Sequence, residues 1–280
     1  MIYQPRYIFD PTKIGFSNKS PPKNTMGVIL WCPGKSWIPG GVTLRDFTGV
    51  NAPVETQMVV DTNVYGSTGF QVHGNEIGIV INSETSLNTI RNLGTVVIAQ
   101  NVSPVIDCFA KGKKIRFSFD LKVPHSKVVN AGVTQVSAYL YFKDRVNNQG
   151  FWYGMCTFDS RGLWHRYKAG FKPVIWDSQG TNVPIANVTA GYDWSVRPFS
   201  TAFYRGRKFD KYKSYNFTVG PKEFNNVLAR IRARYPTMKL SSNLSDYDWT
   251  SANINPEVHA APGSVAQIGL AVKDWKVELI

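Results

Sequence analysis

Apolar and polar residues alternate with period two along much of this chain, the pattern of strands that bury one face. In Ile115–Val123 the residues Ile115, Phe117, Phe119, Leu121 and Val123 alternate with Arg116, Ser118, Asp120 and Lys122. A turn at Lys111-Gly112-Lys113 precedes this strand, and Pro124 is expected to end it. Gln135–Lys143 repeats the pattern, with Val136, Ala138, Leu140 and Phe142 on one side and Tyr139, Tyr141 and Lys143 on the other. Shorter strands are predicted over Val28–Trp31, Gln57–Val60, Phe70–Val72, Ile77–Ile81 and Lys213–Val219. Phe151–Phe158 and Arg161–Tyr167 predict a hairpin turning at 159–162. The last strand region, Ala266–Leu279, changes phase near Lys273-Asp274, which predicts a bulge or break.

One segment has helical spacing. Pro221 opens it, Phe224, Val227, Leu228 and Ile231 form an apolar stripe, and Pro236 stops it. Residues 177–200 are rich in Asn, Gly, Ser and Pro and predict long loops, while 1–25 show little periodicity and predict an extended N-terminal arm. The expected fold is therefore all-β: an antiparallel β-sandwich of jelly-roll type with one inserted helix near 221–235. It would occupy a single domain, 26–280, preceded by the arm.

Composition narrows the class without naming a function. At 280 residues, 43% hydrophobic and 18% charged, the chain has an ordinary globular make-up. Cys32, Cys108 and Cys156 leave at least one thiol unpaired, and none belongs to a C-x-x-C pair. No run of eighteen apolar residues predicts a membrane span, and Met1–Lys13 has no apolar core of signal-peptide length. The expected setting is a virion or the extracellular space, without a membrane partner. Sequons at Asn18, Asn101, Asn187, Asn216 and Asn243 are no more than an Asn-rich chain gives by chance.

The aromatic residues, 8 Trp, 13 Tyr and 16 Phe, add candidate chemistry. Saccharide sites stack sugar rings on aromatic faces and bond hydroxyls with planar polar groups. Tyr139, Tyr141 and Lys143 on one strand, with Trp152, Tyr153, Trp164 and Tyr167 beside it, form the candidate ligand set. Core filling is the competing use for each ring.

The order of several segments strengthens the sugar reading. Val60–Gly74, with Tyr65-Gly66 leading into Phe70–His73, then Ile98–Pro124, Asp210–Val219 and Ile268–Leu279 together resemble the β-sandwich carbohydrate-binding modules attached to xylanases and cellulases, and related modules of phage tails. The resemblance implies a non-enzymatic adhesion module for a polysaccharide or glycan, within a phage or virus particle. Residues 221–262 depart from it and are expected to be an insertion carrying the helix. No ligand residue carries over. The alternative is a virion structural protein (capsid, decoration or tail) that contacts copies of itself or other virion proteins.

Charge supports a second kind of partner. Residues 204–239 hold ten basic and two acidic side chains within a chain of net charge +13. Arg205, Arg207, Lys208, Lys211 and Lys213, interleaved with Tyr204, Phe209, Tyr212 and Tyr215, are the candidate basic partner-binding set. An acidic polysaccharide or acidic subunit suits them; nucleic acid is a further but not favoured partner.

Catalytic signals are weak. Gln71-Val72-His73 and Tyr141-Phe142-Lys143 with Gln149 look like elements of alginate lyases, but that family's general-acid tyrosine falls on Asn147, and Thr43-Leu44-Arg45-Asp46 is a poor substitute for its Arg-Glu-Arg strand. Glycosidases need two carboxylates across a cleft, and no E-x-D-x-E strand supplies them; Asp120, Asp144 and Asp159 look like ordinary turn or face residues. His73, His125, His165 and His259 lack metal-ligand spacing, so no cofactor is expected. A structural calcium is compatible with the sandwich class, though no ligand cluster predicts one.

Overall fold

The computed structural model describes residues 6–8, 14–17, 26–31, 48–50, 57–60, 67–82, 93–105, 107–161, 174–177, 182–187, 208–260 and 263–280. Its strands are β1 (Arg6–Ile8), β2 (Ile14–Ser17), β3 (Met26–Trp31), β4 (Gln57–Val60), β5 (Ser67–His73), β6 (Glu76–Asn82), β7 (Leu93–Val105), β8 (Ile115–Val129), β9 (Val133–Asp144), β10 (Gln149–Asp159), β11 (Val174–Trp176), β12 (Pro184–Asn187), β13 (Phe209–Val219), β14 (Tyr247–His259) and β15 (Val265–Leu279). An α-helix, α1, spans Pro221–Arg234.

The strands form two sheets. A seven-stranded sheet runs β13-β8-β15-β6-β5-β4, with β1 also on β15, and an eight-stranded sheet runs β11-β12-β10-β9-β14-β7-β3-β2. Pairing is antiparallel except for β2 with β3 and β10 with β12. The expected jelly-roll-type β-sandwich is what the described residues form, and α1 is the helix expected near 221–235. Within residues 1–25, β1 pairs with β15 and β2 with β3.

The period-two pattern sets which faces meet. Ile115, Phe117, Phe119, Leu121 and Val123 of β8 turn inward and are buried, as are Val136, Ala138, Leu140 and Phe142 of β9. The sheets touch where Tyr153 of β10 lies 6.1 Å from Phe217 of β13. Trp275, on the far side of the phase change in β15, packs 4.8 Å from Phe117. That change is the predicted bulge: the β8–β15 register shifts between Lys273 and Lys276, and Asp274 takes φ 52.

Helix α1 seals one end of the larger sheet. Pro221 stands in its first turn, and Glu223 accepts the Gly220 N–H at 3.1 Å. Phe224 then enters a ring cluster with Phe109, Phe142, Phe151 and Tyr247, at centroid distances of 4.5, 4.9, 5.2 and 4.9 Å. Removing such a ring typically costs about 3–5 kcal/mol.

Three expectations are corrected and one strand is added. Pro124 does not end β8, because the register with β15 shifts between Gly269 and Ala271, so the proline, which has no N–H to donate, sits at a bulge. Residues 221–262 are not an insertion: β14 lies between β9 and β7 in the larger sheet. The stretch 177–200 is not all loop, since β12 pairs with both β10 and β11. Strand β7, thirteen residues long, had no counterpart in the alternation read from sequence. The second arm of the 151–167 hairpin lies outside the described residues beyond Arg161.

Candidate functional site

Registers across the larger sheet bring its outward side chains into rows. Trp152 of β10 stands beside Tyr141 of β9, which stands beside Ser251 of β14. The next row is Asn187 of β12, Gly154, Tyr139 and Asn253. Further along come Ser137 beside Asn255, then Gln135 beside Glu257. The face is aromatic at one end and polar at the other.

Two glycines shape the aromatic end. A Cβ on Gly154 would lie 2.5 Å from Tyr139 Cδ1, and one on Gly150 would lie 2.5 Å from Tyr141 Oη, so both tyrosine rings lie flat across the neighbouring strand. Tyr139 thereby reaches Asn187, whose Nδ2 donates to its hydroxyl at 3.5 Å. The Tyr141 and Trp152 rings pack at 4.7 Å. Burial pushes the Tyr141 phenol up, which keeps it a neutral donor. Asn253 is 6% exposed, and its Oδ1 has no hydrogen-bond partner.

At the polar end the Glu257 carboxylate is held from three directions. Gln135 Nε2 donates to Oε2 at 2.5 Å, Asn255 Nδ2 to Oε1 at 2.6 Å, and His259 Nε2 stands 3.2 Å from Oε2. Asp159, two strands away across Gln135, is fully buried and bound to Arg161 at 2.7 Å. Glu257 keeps 20% of its side chain exposed.

Where the β9–β10 hairpin meets β11 and the end of α1, a cleft of about 610 Å³ opens. Tyr141, Gln149, Trp176, Asn182, Tyr235 and Met238 line it with Asn148, Gly150, Val183 and Thr237. Trp176 packs 5.4 Å from Tyr235 at an interplanar angle of 59°, and its indole N–H donates to Asn182 Oδ1. Gln149 Oε1 is buried without a partner. Burial pushes the Tyr235 phenol up, against the pull of Arg234.

Of the seven candidate ligand residues, Tyr139, Tyr141, Lys143 and Trp152 share this face. Tyr153 does not: its odd register turns it into the core, where it is fully buried against Phe142 and Phe217. Trp164 and Tyr167 lie outside the described residues. In the basic set, Lys208 and Lys211 are exposed and Lys213 is half-buried, on or beside the edge strand β13 of the smaller sheet, and Arg205 and Arg207 lie outside the described residues. The wider basic segment is not one patch, since Arg232 is turned to the Leu240 and Ser241 carbonyls.

The lyase-like elements do not converge. Gln71 belongs to β5 of the smaller sheet, buried and donating to Thr48, whereas Tyr141 and Lys143 belong to the larger sheet; Asn147 is spent on Asp144 at 2.8 Å. Residues 43–46 lie outside the described residues. Cys108 and Cys156 are buried, their thiols donating to the Tyr247 and Phe158 carbonyls at 3.4 and 3.1 Å, and Cys32 lies outside the described residues. Among the described residues no group of three or more His, Cys, Asp or Glu is arranged to hold a metal ion, and no helix is long and apolar enough to cross a membrane.

Asn253, Asn255 and Glu257 escaped the sequence reading, and His259 was weighed there only as a metal ligand. Their signal was there, because Ser251, Asn253, Asn255, Glu257 and His259 alternate with Ala252, Ile254 and Val258. Pro256, standing in that run, and the preceding helix hid it.

No family model and no curated protein matches the chain. Among solved structures it is similar to the xyloglucanase domain of NopAA, a type three effector from Sinorhizobium fredii, in complex with cellobiose, at 12% identity and TM-score 0.36 over 80% of this chain and 93% of that one. It is also similar to a thermostable cellulase derived from Cel12A of Rhodothermus marinus, at 10% identity and TM-score 0.39 over 82% and 95%. A family 11 xylanase from Neocallimastix patriciarum matches at 10% identity and TM-score 0.32 over 80% and 100%. The chain is similar to them as one two-sheet β-sandwich is to another. The expectation of a non-enzymatic binding and adhesion module in a phage or virus particle, with a virion structural protein as its alternative, is corrected here: these solved structures are glycoside hydrolases.

Proposed function

We propose that this protein recognises a polysaccharide on the outer face of its larger sheet. The observation that carries the reading is the single face on which the half-buried Tyr141 and Trp152, packed at 4.7 Å, are continued past the buried amides of Asn187 and Asn253 to the half-buried Asn255 and Gln135. Rings supply stacking area for a sugar, and amides read its hydroxyls. The unpaired, buried Asn253 Oδ1 is an acceptor whose desolvation, about 1–3 kcal/mol, a ligand hydroxyl would offset.

A second reading, hydrolysis of the bound chain, is favoured by Glu257. It is a partly exposed carboxylate on that same face, oriented by Gln135 and Asn255. Glycoside hydrolysis takes two carboxyl groups, one to protonate the leaving oxygen and one to act as nucleophile or base. Glu257 would supply one of them.

Affinity electrophoresis through gels holding neutral polysaccharides, with a reducing-end assay in parallel, tests both readings. Trp152→Ala is expected to weaken retention about tenfold or more, the cost of removing an aromatic anchor. Glu257→Gln is expected to be retained like the parent while releasing no reducing ends. A parent that runs unretarded through every gel defeats the first reading. Reducing-end release that survives Glu257→Gln defeats the second.

A further inference from the structure

We infer that the cleft between the β9–β10 hairpin, β11 and the end of α1 is a second saccharide site, one that takes a further neutral sugar of the same polymer. This rests on the polysaccharide reading of the outer face and extends it around the end of the sheet through Tyr141, which belongs to both. At about 610 Å³ the cleft is within the usual range for a small-ligand site.

Its chemistry selects the ligand. The ten described residues that line it carry no charged side chain, so its walls offer rings and amides rather than a counter-ion, and the guanidinium of Arg234 is taken up by the Tyr235 ring at 5.3 Å. Trp176 and Tyr235 meet at 59°, which makes an angled wall rather than the parallel slot that a flat heteroaromatic ring would fill. A puckered pyranose fits such walls. Asn148, Gln149 and Asn182 add amides to the same lining, and Gln149 Oε1 is a buried acceptor with no partner of its own. The Trp176 N–H is already given to Asn182, which fixes the indole plane before any ligand arrives.

Titration calorimetry with a long cello-oligosaccharide and a long xylo-oligosaccharide tests the inference. Trp176→Ala and Tyr235→Ala are each expected to weaken the ligand that binds by about tenfold, the loss typical of an aromatic anchor, and Trp176→Phe to restore most of it. Unchanged thermal melts for these variants show that the loss is not one of folding; Trp176 is 40% exposed. Binding that is the same in the parent, Trp176→Ala and Tyr235→Ala overturns the second site and leaves the outer face standing. Binding lost with Trp176→Ala but untouched by Trp152→Ala upholds the cleft and overturns the outer face. A parent that binds neither oligosaccharide overturns both.

Discussion

On the smaller sheet the outward side chains answer one another as charges. Arg116 and Lys276 both reach Glu278, at 2.8 and 2.6 Å, and the ammonium groups of Lys122 and Lys273 each stand 4.6 Å from the centroid of the Tyr212 ring. Tyr212 in turn donates to Glu76 at 2.8 Å, and burial together with that carboxylate pushes its phenol far up. Lys122 also donates to the Gly49 carbonyl at 2.8 Å. On the larger sheet rings, amides and hydroxyls prevail among the outward groups, beside Lys143, Glu257 and His259, and one acceptor there, Asn253 Oδ1, is left over, as is Gln149 Oε1 at the sheet's end. Unpaired amide atoms occur on the smaller sheet too, but Gln71 and Gln267 are tied by their other ends to Thr48 and His125. A large positive charge therefore does not locate the site. Much of it is consumed by local partners, while the face with little net charge keeps unspent hydrogen-bonding capacity.

Glycine substitutions give the largest expected break between the two faces. A Cβ on Gly154 would lie 1.9 Å from the Ala138 carbonyl oxygen, which is backbone and cannot turn aside, and 2.5 Å from the Tyr139 ring. Gly154→Ala is expected to cost about 3 kcal/mol, the upper part of the overpacking range, and to lift Tyr139 off Asn187. Gly74→Ala, in the hairpin of the smaller sheet, meets no atom within 4 Å and carries only the strain of φ +58, about 1 kcal/mol. Urea unfolding of both variants measures the difference; equal costs would mean that the close approach at Gly154 is not what holds the rings down.

A buried carboxylate supports the larger sheet from below. Asp144 accepts from Val146 N, Asn147 N, Asn147 Nδ2 and Ser241 N at 2.9, 3.1, 2.8 and 2.7 Å, which ties the β9–β10 turn to the segment after α1. Burial alone would raise its pKa, but these hydrogen bonds outweigh burial and hold it below the ordinary value. The folded state then binds its proton less readily than the unfolded chain does. The stabilisation is complete above the unfolded value, about pH 4, and is lost as pH falls through the lower folded value. Asp144→Asn is expected to cost about 2 kcal/mol at neutral pH and to flatten that acid limb of a stability–pH curve. A variant whose acid limb matches the parent's would remove Asp144 from the account.

How much of this was legible follows the same division. Strands with one buried and one polar face, such as β8, β9 and β15, announced themselves, and so did the stripe of α1 and the bulge at Lys273-Asp274. Period two reports which residues share a face, so Tyr139, Tyr141 and Lys143 were grouped correctly. The same rule misplaced Tyr153: in β10 it alternates with Trp152, and a run as aromatic as Phe151-Trp152-Tyr153 gives no hint of which ring turns inward. Strand β14 was missed because Pro256 interrupts its reading. The cleft was invisible for another reason, since Tyr141, Trp176 and Tyr235 come from segments that only tertiary folding brings together.

The smallest effect sharpens the comparison from the charged side. Lys273 gives the smaller sheet a cation over the Tyr212 ring and a 3.8 Å ion pair with Asp274, and 29% of its side chain is exposed. Water screens such contacts, so Lys273→Ala is expected to cost about 0.5–1 kcal/mol. Asp274 would still hold its 2.6 Å bond from Asn75, and the bulge would survive. Because the lost contact is coulombic and partly solvated, the difference between parent and variant should shrink in high salt. Retention of the variant by a neutral polysaccharide should be unchanged, because stacking and amide hydrogen bonds on the opposite sheet owe nothing to this charge. A loss of retention would mean instead that the charged face takes part in binding, and the contrast between the two sheets would fail there first.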